Sequence, residues 1–205
     1  QGEDEAGADA NLQAIAAELR GSGKKPFIIP LAPGHPPLGA LGYVRAAAEI
    51  LDQLADAHYP IDEIVVASGS GNTHAGLLFG LRALDSDITV TGVCVRRDRK
   101  AQFARITTRC QEIAELLETE SPVQRQDIQL TDDTFAPGYG HLNEATHQAI
   151  DLSARLEGLL LDPVYTGKSM AACLKLARDT GKNKSILFIH TGGIPGIFAY
   201  RDILI

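Results

Sequence analysis

Cysteine is scarce in this sequence, and clustered metal ligands are absent from it. Only three cysteines, Cys94, Cys110 and Cys173, occur in 205 residues. Their odd number and wide separation, with no Cys-x-x-Cys pair and no cysteine–histidine cluster, indicate neither a disulfide framework nor a zinc site. We therefore predict no metal ligands and expect three buried, reduced thiols in a cytoplasmic protein.

Two further classes of protein are disfavoured by what the sequence lacks. No apolar run approaches about 18 residues, which is the length that a membrane-spanning helix needs. The formal net charge is −7, whereas a surface that binds nucleic acid needs clustered cations. The most basic segment, residues 96–100, is short and contains Asp98. We expect it to be a solvated loop.

Helical and strand-like segments alternate along the chain. The strand-like runs are rich in aliphatic residues and occupy residues 27–30, 64–67, 88–95 and 186–189. Amphipathic patterns of helical period fall mainly within residues 12–19, 41–54, 73–84, 106–117, 143–156 and 169–178. This alternation predicts an α/β fold, with a mainly parallel twisted sheet and helices on both faces. Ligands of such folds bind beyond the carboxyl ends of the strands.

The clearest candidate binding loop lies between a buried strand and a helix. It consists of Ser68, Gly69, Ser70, Gly71, Asn72 and Thr73, and we call it the glycine loop. Glycine lets a backbone approach a ligand closely, and the start of a helix offers free N–H groups to a phosphate. The spacing matches neither the dinucleotide fingerprint nor the Walker loop. The alternative is an ordinary turn in which Thr73 is the N-cap residue of the helix.

Two other strand ends carry unusual residues. A strand-like run that begins at Leu161 turns into a helix through Tyr165, Thr166 and Lys168. Helix capping by a hydroxyl, with a surface lysine beside it, explains the same residues. The last strand ends in Thr191 and two glycines, which is typical of cofactor contact, although a tight turn explains this pattern equally well.

Together, the three strand ends resemble the D-cysteine desulfhydrase and ACC deaminase family. These are fold type II, tryptophan-synthase-β-like pyridoxal-phosphate enzymes. The resemblance extends from about Ala8 to the end of the chain and also includes residues 38–44, 135–140, 156–168, 186–193 and 198–200. It implies that residues 1–205 are the C-terminal portion of a large domain that binds pyridoxal 5'-phosphate, in a fold that is incomplete at its N-terminus.

The resemblance also implies roles for individual residues. The glycine loop would hold the cofactor phosphate, and Thr166 and Thr191 would also contact the cofactor. Thr191 would stand near the pyridine nitrogen, where a hydroxyl rather than a carboxylate suits β-elimination. Tyr139 and Tyr165 match the two active-site tyrosines of the family, and we expect them to carry or orient protons. Since the usual pKa of tyrosine is about 10, a role as base would require a cationic site that lowers it.

The implied activity is that of a lyase. β-Elimination from D-cysteine, or from a similar amino acid, would give pyruvate, ammonia and sulfide. Thr166 stands where the ACC deaminases of this family carry an acid, which favours elimination over ring opening; ACC deaminase or cysteate sulfo-lyase activity is the alternative. The expected partners are a small amino-acid substrate and, because relatives are usually dimers, a second copy of the chain. We expect binding to neither nucleic acid nor a membrane.

Two motifs that the resemblance leads us to expect do not occur in the sequence. Relatives carry the Schiff-base lysine in a Gly-Gly-Asn-Lys motif, and a Ser-Asn-His motif contacts their cofactor and substrate; neither motif is present here. Lys168 follows Tyr-Thr-Gly at a helix start, and we interpret it as structural. We expect the chain to begin after the catalytic lysine and to be inactive alone. A non-catalytic fragment or split subunit that binds the cofactor is therefore an alternative function, and a phosphosugar-binding domain is a third.

Three further features complete these expectations. His74 and His190 lie within the motifs, and we expect them to order the loops by hydrogen bonds rather than to act as ligands. Residues 30–38, which include Pro36 and Pro37, replace a Gly-Gly-Ser-Ser loop that lies near the substrate in relatives. This difference leaves the substrate specificity open.

Overall fold

The computed structural model describes residues 5–30 and 34–204. Part of the proline-containing segment at residues 30–38 therefore lies outside the described residues. The chain forms two compact units, Gln1–Pro37 and Leu38–Ile205. The assignment of residues 1–205 to one large domain stays a prediction.

The first unit contains one helix, α1 (Glu5–Gly21), among its described residues. The helix ends where the sequence predicts, and the hydroxyl of Ser22 donates to the carbonyl of Leu19. The strand predicted at residues 27–30 is wrong, because this segment pairs with no strand in the described part of the chain. Phe27 is 88% exposed and Ile29 is 71% exposed. A strand needs a partner for its backbone N–H and C=O groups, which a local sequence pattern cannot supply.

The second unit is built on a parallel sheet. Its strands are β1 (Glu63–Ser68), β2 (Thr89–Cys94), β3 (Gln129–Thr131) and β4 (Ile186–Phe188). They lie in the order β3-β2-β1-β4, and each pairing is parallel. Strand β1 is buried along its whole length, as its continuous aliphatic run indicates. Strand β3 has three residues, of which only Leu130 is buried, so no periodicity identifies it.

Helices cover both faces of the sheet, which confirms the predicted α/β fold. Ile64 and Val66 of β1 belong to the apolar core that includes residues of the helices on one face, whereas Val65 packs with the helix on the other face. The helices of this unit are α2 (Leu38–Ala57), α3 (Asn72–Ala83), α4 (Arg99–Leu116), α5 (Glu144–Glu157), α6 (Thr166–Thr180) and α7 (Arg201–Leu204). Short 3₁₀ turns occupy Arg125–Asp127, Gly181–Asn183 and Ile194–Tyr200.

Two glycines allow α3 to approach α2 closely. A Cβ atom at Gly76 would lie 2.4 Å from the carbonyl oxygen of Ala40, and one at Gly80 would lie 2.5 Å from that of Val44. The backbones of the two helices therefore pack directly against each other. None of the helices that the structure describes is both long and apolar enough to cross a membrane.

Candidate functional site

Three of the turns singled out in the sequence meet at one cavity of about 250 Å³. It lies beyond the carboxyl ends of β1 and β4, where a parallel sheet places its ligands. Its lining consists of Tyr43, Ala67, Gly69, Ser70, Thr73, Tyr165, Thr191, Gly192 and Gly193. The fold thus brings together the glycine loop, Tyr165 and Thr191. Tyr43 of α2 is an additional lining residue that the sequence reasoning missed, because its helical pattern indicates only packing.

The glycine loop has the backbone of an anion site. Gly71 is the N-cap residue of α3, with φ of +93° and no side-chain cap, so the alternative in which Thr73 caps the helix is wrong. Within the described residues, the N–H groups of Gly69, Ser70 and Gly71 have no hydrogen-bond acceptor. Consecutive free N–H groups beside the positive end of a helix dipole form a concave site for an anion. This arrangement fits a phosphate group.

The side chain of Ser68 lies beneath the loop. Its hydroxyl accepts a hydrogen bond from Nε2 of Gln102 at 2.7 Å and lies 3.1 Å from Nδ1 of His74. Burial lowers the pKa of His74 to about 4, so the ring is neutral and shares a hydrogen bond with the hydroxyl of Ser68. The expectation that His74 orders the loop is confirmed. Because Ser68 is engaged in this way, Ser70 and Thr73 are the hydroxyl-bearing residues of the loop that line the cavity.

Asp162 organises the turn before α6. Its carboxylate is buried and accepts hydrogen bonds from the backbone N–H groups of Val164, Tyr165 and Thr166 at 2.8–2.9 Å. The strand-like run expected here is wrong, since these N–H groups bind a side chain instead of a neighbouring strand. An aspartate just before a helix start is a local signal for such a turn, and we did not assign Asp162 a role from the sequence.

Thr166 belongs to the same turn. It is fully buried, its hydroxyl donates to Oδ1 of Asp162 at 2.7 Å, and it accepts from the N–H group of Asp162 at 2.8 Å. The structure therefore places Thr166 behind the cavity lining. Its contact with a cofactor stays a prediction.

Tyr139 and Tyr165 form a hydroxyl pair. Their oxygens are 2.5 Å apart, and their rings meet edge to face at 6.0 Å between centroids. The Tyr165 ring also lies over Gly69, where a Cβ atom would be 3.4 Å from Cε1. Burial, and next the hydrogen bond with Tyr139, raises the pKa of Tyr165 above its usual value. The shift is opposite to the one that a base would need, and it keeps the hydroxyl of Tyr165 protonated near neutral pH.

Lys168 holds the loop that carries Tyr139. Its side chain is fully buried, and Nζ donates to the carbonyls of Phe135 at 2.8 Å and Gly138 at 2.7 Å. Burial lowers its pKa. The structural interpretation of Lys168 is supported, and the alternative of a surface lysine is wrong. Asn143 fastens the same loop, because its amide nitrogen donates to two further carbonyls.

His190 orders the turn that contains Thr191. Its Nε2 lies 2.9 Å from the carbonyl of Leu160 and donates to it, while Nδ1 accepts from the N–H group of Gly192 at 3.1 Å. The loop-ordering hydrogen bonds expected of this histidine are confirmed. The turn keeps Thr191 and both glycines at the cavity wall.

A second cavity, of about 150 Å³, is a weaker candidate. Its lining includes Glu63 of β1, Lys175 of α6 and Asp133, which follows β3. These charges already have partners: Thr91 and Lys184 donate to Glu63, and Lys175 pairs with Asp133. Among the described residues, no group of three or more histidine, cysteine, aspartate or glutamate side chains is arranged to hold a metal ion. The donors of the larger cavity, backbone N–H groups and hydroxyls, instead suit an organic phosphate.

Comparison with known proteins gives this site a chemical context. The family described as "Pyridoxal-phosphate dependent enzyme" matches residues 2–192. D-cysteine desulfhydrase of Salmonella paratyphi C is 46% identical over 198 residues, which are 94% of this chain and 58% of that protein. The Salmonella typhi protein of the same name is 45% identical over the same shares. The chain thus spans 58% of the length of these relatives.

Solved structures agree with this assignment. The crystal structure of an ACC deaminase homologue is 40% identical, with a TM-score of 0.82, and the match covers 100% of this chain and 60% of that one. A threonine deaminase from T.th. has a TM-score of 0.51 at 20% identity, over 74% of this chain and 57% of that one, and shows the fold alone. The family match over nearly the whole chain, and a cavity that fits the phosphate of the cofactor, lead to one conclusion: the chain belongs to the pyridoxal-phosphate dependent enzymes.

Proposed function

We propose that this chain is part of a lyase that catalyses β-elimination from D-cysteine, or from a similar β-substituted amino acid. With hydrolysis by one water molecule, D-cysteine would give pyruvate, ammonia and sulfide. The proposal is supported by the curated relatives, which are named D-cysteine desulfhydrase, and by the donors that surround the cavity. Bound pyridoxal 5'-phosphate supplies the electron sink that such an elimination requires. The contribution of this chain is to bind, to orient and to move protons.

The glycine loop is proposed to bind the cofactor phosphate. The donors that this role needs are the three N–H groups that have no acceptor among the described residues and the hydroxyls of Ser70 and Thr73, and Asn72 begins α3 beside them. Thr191 also lines the cavity, and we propose that its hydroxyl faces the ring nitrogen. Because Thr191 is neutral, it stabilises a positive charge on that nitrogen less than a carboxylate does.

The tyrosine pair is the observation that carries the proposed chemistry. Tyr165 stays protonated because it is buried and hydrogen-bonded to Tyr139, so its hydroxyl can give a proton to a departing sulfur. Tyr139 is 44% exposed and can return that proton from solvent through the 2.5 Å contact. A proton path of two phenols therefore joins the cavity wall to water.

The decisive experiment measures pyruvate release by the full-length gene product. Purified protein with pyridoxal 5'-phosphate is given D-cysteine, L-cysteate or ACC in parallel, and sulfide is measured in the first reaction. We expect equal amounts of pyruvate and sulfide from D-cysteine. Activity on ACC alone, which would appear as 2-oxobutyrate and ammonia, would overturn the proposal.

ACC deamination is the second candidate because the solved relative at 40% identity is named an ACC deaminase homologue. Elimination is favoured by Thr166, which offers no acid at the position where the resemblance places one.

We further propose a cytoplasmic homodimer. Light scattering of the full-length protein tests the dimer, and cell fractionation tests the compartment.

A further inference from the structure

The carbonyl groups of the first three residues of the glycine loop accept hydrogen bonds from residues 95–105. The N–H group of Val95 donates to the carbonyl of Ser68 at 3.3 Å. Nη1 of Arg97 donates to the carbonyl of Gly69 at 2.5 Å, and Nε of Arg105 donates to the carbonyl of Ser70 at 2.9 Å. Three consecutive carbonyls therefore point toward the end of β2 and toward α4.

This arrangement determines where the N–H groups of the loop point. In a planar trans peptide, the C=O group of one residue and the N–H group of the next point in opposite directions. The N–H groups of Gly69, Ser70 and Gly71 therefore point away from Val95, Arg97 and Arg105. These are the same three N–H groups that have no acceptor in the part of the chain that the structure describes.

Both arginines are themselves held in place. Nη1 of Arg97 also donates to Oε1 of Gln102 at 2.8 Å, and Gln102 in turn donates to the buried hydroxyl of Ser68. The Cγ atom of Arg105 packs under Gly71, where a Cβ atom would be only 3.4 Å away. The prediction that residues 96–100 form a solvated loop is therefore wrong in part, because Arg97 is half-buried against the glycine loop and α4 begins at Arg99.

We propose that Arg97 and Arg105 are positioning residues, which fix the peptide planes of the glycine loop so that its N–H groups face a bound phosphate. This inference rests on the proposed role of the loop in cofactor binding. Without the arginines, the peptides after Gly69 and Ser70 are free to rotate, and a carbonyl oxygen that faced the cavity would repel the anion. The two side chains act through the backbone and need no contact with the ligand.

The test compares probes with and without a phosphate. Dissociation constants for inorganic phosphate, pyridoxal 5'-phosphate and pyridoxal are measured by calorimetry on the purified full-length protein. Arg105→Met removes the donor to the carbonyl of Ser70 but keeps an alkyl chain under Gly71, and Arg97→Met removes the donor to the carbonyl of Gly69. We expect each variant to bind both phosphate-containing probes about tenfold more weakly, as the loss of one charge-assisted hydrogen bond implies. Pyridoxal affinity should not change.

Arg99→Met is the matched control for charge. Arg99 is also on α4 and is exposed, so its removal takes away one positive charge without touching the loop. If Arg99→Met weakens phosphate binding as much as Arg105→Met, the effect is long-range attraction and the positioning role is wrong. If circular dichroism shows that a methionine variant does not fold, the phosphate affinity of Arg105→Lys tests the inference instead. This substitution keeps the charge but not the fixed geometry, and phosphate affinity equal to that of the wild type would overturn the inference.

Amide resonances separate this inference from the proposed function. In wild-type protein, titration with inorganic phosphate should shift the N–H signals of Gly69, Ser70 and Gly71. If they do not respond to phosphate or to pyridoxal 5'-phosphate, the proposed cofactor site itself is wrong. If they respond equally in the wild type and in both methionine variants, the site stands and the role of the arginines is wrong.

Discussion

The carboxylate of Asp162 lies directly against Gly193. A Cβ atom at Gly193 would be 2.6 Å from Oδ1 of Asp162. This distance is shorter than a Cβ atom can keep to an atom that is not bonded to it. Asp162 fixes the turn before α6, and Gly193 follows β4, so this contact joins two walls of the cavity. The same carboxylate that orients Tyr165 therefore also requires a glycine two residues after Thr191.

Replacement of Gly193 by alanine should destabilise the protein strongly. Gly193 has φ of +91°, and its new methyl group would meet Asp162, whereas Gly192 has φ of +95° and nothing within 4 Å. We expect Gly192→Ala to lower the free energy of unfolding by about 1 kcal/mol through strain alone, and Gly193→Ala by about 3 kcal/mol. Chemical denaturation measures both values. Equal losses in the two variants would show that the contact with Asp162 is unimportant.

The effect of Tyr139 on the pKa of Tyr165 can be tested without a substrate. The hydrogen bond with Tyr139 is the second cause, after burial, of the raised pKa of Tyr165. Tyr139→Phe should therefore lower that pKa, although burial keeps it above the usual value. Titration of the tyrosine signals by nuclear magnetic resonance measures the shift, with Tyr59→Phe, a change at a residue that is 65% exposed, as control. A Tyr165 pKa that is the same in the wild type and in Tyr139→Phe would contradict the hydroxyl pair.

In the full-length enzyme, loss of the Tyr165 hydroxyl should lower kcat for D-cysteine. We expect Tyr165→Phe to reduce kcat by at least about 100-fold, the usual contribution of a positioned proton donor. The Tyr59→Phe control should retain wild-type kcat. Retention of full activity by Tyr165→Phe would exclude this residue as the proton donor.

His74 should make stability depend on pH below neutrality. Its pKa is about 4 in the folded protein and about 6.5 when exposed. Between these values the unfolded chain binds more protons, so lowering the pH favours unfolding. This one group should remove about 3 kcal/mol of stability from pH 6.5 to pH 4.

Denaturation at several pH values tests this dependence. His74→Asn should flatten the pH dependence in that window, whereas His58→Asn, a change at an exposed residue, should leave it intact. An unchanged slope in His74→Asn would mean that the imidazole is accessible to water in the folded state.

The three thiols should be unreactive in the native protein. Burial raises the pKa of Cys94 and of Cys110 to about 12, and that of Cys173 to about 11. Since the thiolate is the reactive form, a disulfide reagent at neutral pH should modify none of them in native protein and all three after denaturation. Rapid modification of any one thiol in native protein would contradict its burial.

The sequence by itself identifies much of the fold because the relevant signals are local. The aliphatic run of β1 and the periodicity of α2 each depend on a few neighbouring residues, and both elements occur where they are expected. The glycine loop is equally local, since its glycines and the following helix are consecutive. The sequence fails at residues 27–30 and 161–164, because a strand depends on a distant partner, and at the latter site the carboxylate of Asp162 binds the backbone instead.

The candidate site also has features that the sequence predicts and features that only the folded structure shows. The sequence alone identified the glycine loop, the two tyrosines and Thr191 as candidates, and its motifs indicated the family. Only the tertiary structure decided which atoms meet: it paired the hydroxyls of Tyr139 and Tyr165, buried Thr166 against Asp162, and placed Arg97 and Arg105 behind the loop. Residue types and local periods are properties of the chain, whereas hydrogen bonds between residues 28 or 35 positions apart exist only once the chain has folded.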